Sequence, residues 1–151
     1  MHSLVRLYIK TAVGFLATGL AIGAWMVFRR EILGAPPSSY ASSAHTHAIL
    51  VGFVMMMILG VALWLFPRAE KTDRRYDPAL ARAAYWLIAI GTASRIVGEL
   101  ARIRSEADWL KWTIVVASLG QVAGIAVFFF TMWPRIRSAG SHVREAKGEK
   151  F

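Results

Sequence analysis

The stretch Ala44-His45-Thr46-His47-Ala48-Ile49-Leu50-Val51-Gly52-Phe53, which stays apolar as far as Phe66, decides how the chain is read. It sets two imidazoles at the mouth of a lipid-like segment. No charged residue occurs between Ala48 and Phe66. As a helix rising about 1.5 Å per residue, that run nearly crosses a hydrocarbon layer of about 30 Å. Ionisable side chains at such a place are costly, and they mark a functional site by default.

Working outward, the same pattern recurs three more times. Residues 11–28 are apolar and uncharged, a first spanning helix. The run is longer than the core of a cleaved signal peptide, and Arg29-Arg30 follows it where a small-residue cleavage site would be. The second helix covers 44–66, with Pro36-Pro37 before it and Pro67 behind it. Ser42 or Ser43 is placed to cap it. Asp77-Pro78 opens a third helix over 78–97, with Asp as cap and Pro in the first turn. A fourth covers 109–133, and Pro134 stops it. Gly19 with Gly23, and Gly120 with Gly124, are four apart and share helix faces where a neighbour can approach closely. The expectation is an all-α, integral membrane four-helix bundle. It forms a single transmembrane domain over 1–134, followed by a basic tail over 135–151.

Of 151 residues, 56% are apolar, yet the net charge is +9. The charge lies in clusters between apolar runs, the membrane pattern rather than the nucleic-acid one. No nucleic-acid partner is expected, and membrane lipid is. There is no cysteine, which excludes disulfides, iron–sulfur clusters and covalently attached haem. Twelve of the 18 lysines and arginines fall on the side of the N-terminus, the 67–78 loop and the tail. That bias places both termini in the cytoplasm of a bacterial-type inner membrane.

His45 and His47 are two residues apart. At about 100° per residue they point to nearly opposite sides of a helix and cannot grip one metal ion as an i, i+4 pair would. They suit two different sites, one on each side. Neutral imidazole is a common ligand of haem iron. The face of His45 continues through Gly52 and Met56, and Gly52 would leave room for a flat macrocycle. Met55-Met56-Met57 offers thioether ligands or flexible packing. Arg95 and Arg102 suit haem propionates, or else they snorkel to the interface. Capping of the helix start by the two rings is the plainer alternative.

These residues carry a resemblance. Ala44-His45-Thr46-His47 through Gly52-Phe53, closing on Trp64-Leu65-Phe66-Pro67-Arg68, resembles the second transmembrane helix of the catalytic subunit of haem–copper oxidases and nitric oxide reductases. There a His-Thr motif stands seven residues before a small residue. The chain is also similar to NnrS-type haem membrane proteins, which carry His-x-His helices. The resemblance implies that His45 ligates a low-spin haem b. His47 matches no ligand of that second helix, although the tenth helix of the same subunits has a His-x-His whose rings bind two different haems.

The full subunit has about twelve helices, and its copper histidines come from further helices. This chain holds one histidine-bearing helix, so a single copy is not expected to reduce oxygen or nitric oxide in the oxidase manner. Whether it is an enzyme stays open. The implied function is a small b-type haem protein, for electron transfer or for binding a diatomic gas such as nitric oxide. A cytochrome c or a quinol is the kind of redox partner expected. The oxidase subunit resembles three four-helix arcs, which implies a homo-oligomer, a trimer or else a dimer, sharing haem between His45 and His47 of neighbouring copies. The alternative is a haem-free accessory or assembly subunit of a larger respiratory complex.

Overall fold

The computed structural model describes residues 3–67, 77–136 and 147–148. Most of the charged loop expected over 67–78 and most of the basic tail lie outside the described residues, as do His2 and His142. Helix α1 spans Ser3–Glu31. The second rod is composite: α2, Ser39–Thr46, then a π-helical stretch, His47–Met55, then α3, Met56–Leu65. Helix α4 spans Pro78–Arg102 and α5 Asp108–Met132, with a short 3₁₀ turn at Trp133–Arg135. No strand occurs among the described residues. The fold is an all-α four-rod bundle. Three rods, Ser3–Glu31, Ser39–Leu65 and Asp108–Arg135, are long and apolar enough to cross a membrane.

The helices outrun the apolar stretches. Hydropathy marks the membrane slab, whereas backbone hydrogen bonding continues until something ends it. Helix α1 runs on through Arg29 and Arg30, until Gly34 turns at φ 60° ahead of Pro36. The second rod begins at Ser39, earlier than expected, because Ser38 is its cap: Ala41 N donates to Ser38 Oγ at 3.2 Å. Ser42 and Ser43 therefore lie inside the helix. Asp77 caps α4 as expected, its carboxylate accepting from Ala79 N at 2.7 Å. Helix α4 continues past 97 to Arg102, which brings Glu99 inside a helix.

Packing follows the small residues. On α1, a Cβ added to Gly19 would meet Ile49 Cδ1 at 2.5 Å, and one at Gly23 would meet His45 Cε1 at 3.0 Å. The Gly19–Gly23 face is thus where the second rod docks. Between α4 and α5, a Cβ at Gly91 would stand 2.8 Å from Ala117 O, and one at Gly124 2.7 Å from Ile88 Cγ1. Gln121 Nε2 donates to Thr92 Oγ1 at 3.0 Å across the same buried seam. The main apolar core joins α1, α3, α4 and α5 around Tyr8, Met56, Leu59, Ile88 and Phe128. Tyr8 meets Tyr85 edge-on at 5.1 Å, and Thr11 Oγ1 is 2.8 Å from Tyr85 OH. At the opposite end from the histidines, Arg135 closes the last turn of α3. Its Nη2 donates to Leu63 O and Phe66 O, and its Nε to Pro67 O. Leu20, Ile58, Val97 and Leu119 are among the large apolar side chains left outward, as a lipid-facing surface requires.

Candidate haem-ligand site

The site sits where the second rod begins. The bundle resolves the opposed directions of the two rings into two neighbours: His45 faces α1, and His47 faces α4. His45 Nδ1 is 2.8 Å from Gly19 O. A backbone carbonyl only accepts, so Nδ1 carries the hydrogen and donates it, which leaves Nε2 with its lone pair. The glycine at 23 admits the ring against α1.

His47 uses the helix itself. Its Nδ1 donates to Ser43 O at 2.8 Å, one turn back, so its Nε2 is also the bare nitrogen. The same Nδ1 lies 3.8 Å from Glu99 Oε2. The Glu99 side chain is 3% exposed. Its Oε1 accepts from Ser43 Oγ at 2.7 Å and from Arg95 Nε at 3.0 Å. Its Oε2 is buried without a hydrogen-bond partner among the described residues. A carboxylate here is tolerable because Arg95, one turn away, balances it. Ser43, His47, Arg95 and Glu99 thus form a polar knot between the second rod and α4.

The remaining candidates fall elsewhere. The room expected at Gly52 is filled: a Cβ there would lie 2.5 Å from Phe15 Cγ, so the glycine lets α1 close in. Met56 is fully buried in the main core. Arg95 turns inward to Glu99. Arg102 Nη2 donates to Tyr40 OH at 3.3 Å, its guanidinium stacks on the Tyr40 ring at 5.3 Å, and Nη1 reaches Ser105 O. Glu99 is the residue that sequence reading missed. It lies beyond the expected end of the third helix at 97, and the added turn of α4 buries it. The π stretch was also invisible in sequence. It starts at His47, and such stretches are rare and frequent at functional sites. Among the described residues no group of three or more His, Cys, Asp or Glu side chains could hold a metal ion.

The two half-buried imidazoles are each tied through Nδ1 and face different helices, so they offer two separate single-nitrogen donors rather than one metal cage.

A family model for cytochrome c and quinol oxidase polypeptide I matches residues 3–146. The chain belongs to that family, as a short, multi-pass membrane relative. Comparison with curated proteins and with solved structures returned no match.

Proposed function

We propose that the chain is a small b-type haem protein of the membrane, serving electron transfer or the binding of a diatomic gas such as nitric oxide. The observation that carries this reading is the His45 Nδ1–H···O=C bond to Gly19, which presents Nε2 as a ligand nitrogen. Family membership supports the same reading. His45 would hold the haem through Nε2. His47 would hold a haem shared with another copy, because the two rings of one chain face different helices. The haem supplies one-electron chemistry when bound. The protein holds the two rings in one tautomer.

The reading includes a homo-oligomer, a trimer in preference to a dimer, in a bacterial-type inner membrane with both termini cytoplasmic. Its electron partner is of the cytochrome c or quinol kind. His45→Ala tests the assignment. The variant should insert normally and lose haem, or hold it five-coordinate. A variant with an unchanged haem spectrum would remove His45 from the site. One observation favours the haem-free alternative, an accessory or assembly subunit: each ring already has a partner within the bundle. Purified protein without any haem absorption after expression with ample haem would establish that alternative.

A further inference from the structure

We propose that the groove between the C-terminal ends of α1 and α4 is a binding site for one anionic phospholipid. The arginines at this end of the bundle fall into two sets. Arg30 pairs with Glu31 at 2.6 Å, Arg95 with Glu99, and Arg102 with Tyr40 and Ser105. Arg29 and Arg104 have no anionic partner among the described residues. Arg29 only stacks on Trp25, its guanidinium 5.3 Å from the ring centre. These two line one cavity of about 430 Å³. The other walls are apolar: Ala21, Ile22 and Trp25 from α1, Leu100 from α4, and Ile103 just past its end.

The arrangement is amphipathic in one direction. Along α1, residues 21, 22 and 25 lie deeper and Arg29 lies in the last turn. Along α4, Leu100 precedes the helix end and Arg104 follows it. Acyl chain fits the apolar walls, and a phosphate fits between two guanidinium groups. Trp25, 37% exposed, has the place and chemistry of an interfacial anchor. A zwitterionic lipid would bring its own cation to a site that already carries two. Neither histidine lines the groove. Gly19 and Gly23 face His45, whereas Ala21 and Trp25, two residues on from each, lie at about 200° around α1. The proposal therefore stands whether or not His45 binds haem.

The test uses the full chain, stripped of lipid in a neutral detergent, with native mass spectrometry as the readout. Phosphatidylglycerol, phosphatidylcholine and inorganic phosphate are added separately. Phosphatidylglycerol should be retained and the other two lost. Arg29→Gln with Arg104→Gln should weaken retention about thirty-fold, the effect of removing two near-surface cations. Arg30→Gln, which removes a cation already paired, should leave it unchanged. Ala21→Trp should block the lipid by filling the groove while keeping both charges. Equal retention of the two lipids would overturn the proposal. So would retention unaffected by either the double variant or Ala21→Trp, binding of phosphate alone, or loss of haem in place of lipid in the double variant.

Discussion

Glu99 and Arg95 hold opposite charges one helical turn apart, and the carboxylate is the more deeply buried of the two. Removing the arginine leaves a buried anion without its counter-ion, which typically costs roughly 3 kcal/mol or more. Arg95→Leu should therefore lower resistance to denaturation by about that amount in a detergent titration, whereas Arg95→Lys should retain most of it. Equal behaviour of the two variants would show that the pair is not holding α4 in place. Ser43 matters in a different way, because its hydroxyl donates to Glu99 while its carbonyl accepts from His47. Gly23 is the sharpest steric test of the ligand ring. A Cβ there would press on His45 Cε1 at 3.0 Å. Gly23→Val should tilt the imidazole and shift the haem absorption bands with the chain still inserted. An unaltered spectrum would mean that the ring does not depend on this contact.

At the scale of elements, the seams between rods rest on glycines placed where a methyl group would collide. At Gly124 a side chain would strike Ile88 and the Ala84 carbonyl, at 2.7 and 3.1 Å. Gly124→Leu should separate α4 from α5 and cost about 1–3 kcal/mol, as overpacked sites do. A methyl group added at Gly14 would meet nothing within 4 Å among the described residues, so Gly14→Ala should be neutral or gain up to about 1 kcal/mol from helix propensity. The denaturation midpoint should fall for Gly124→Leu and hold or rise for Gly14→Ala. A similar loss at both would contradict the packing described.

The four rods and the Asp77 cap could be read from the chain because apolar runs and cap residues are local signals. So could the opposed directions of His45 and His47, which need only the helical repeat. What the chain alone did not disclose depends on partners. Phe15 fills the space beside Gly52, Glu99 reaches Ser43 across 56 residues, and Arg95 turns inward once that glutamate is buried. Each of these is decided by which helix faces meet, and a period along one helix does not specify its neighbour. The π stretch has no local signal either, since its residues are those of any apolar span.

For the whole molecule, the proposed orientation rests on the unequal distribution of cations. Twelve of the 18 lysines and arginines lie on the side proposed as cytoplasmic. A cysteine placed at Ser105, in the turn between α4 and α5, should react with an impermeant thiol reagent on intact cells, and one at Ser3 should not. The reverse pattern would invert the bundle and put His45 and His47 near the inner face. Assembly belongs to the same scale. The two imidazoles of one chain face different helices, so in the proposed arrangement a haem with two imidazoles would take rings from two copies. Ligation would then stabilise only the associated state, linking haem content to oligomer size. Native mass spectrometry should show three chains with up to three haems, and His47→Ala should lose both haem and assembly. A haem-loaded monomer would end the shared-ligand arrangement while leaving His45 as a ligand.

The most direct measurement is the reduced-minus-oxidised absorption spectrum of the purified wild-type protein. Sharp reduced α and β bands of a six-coordinate haem b, with a pyridine haemochrome giving at least one haem per oligomer, are the predicted result. A flat difference spectrum, from protein that is folded, membrane-inserted and made with haem in excess, would contradict it.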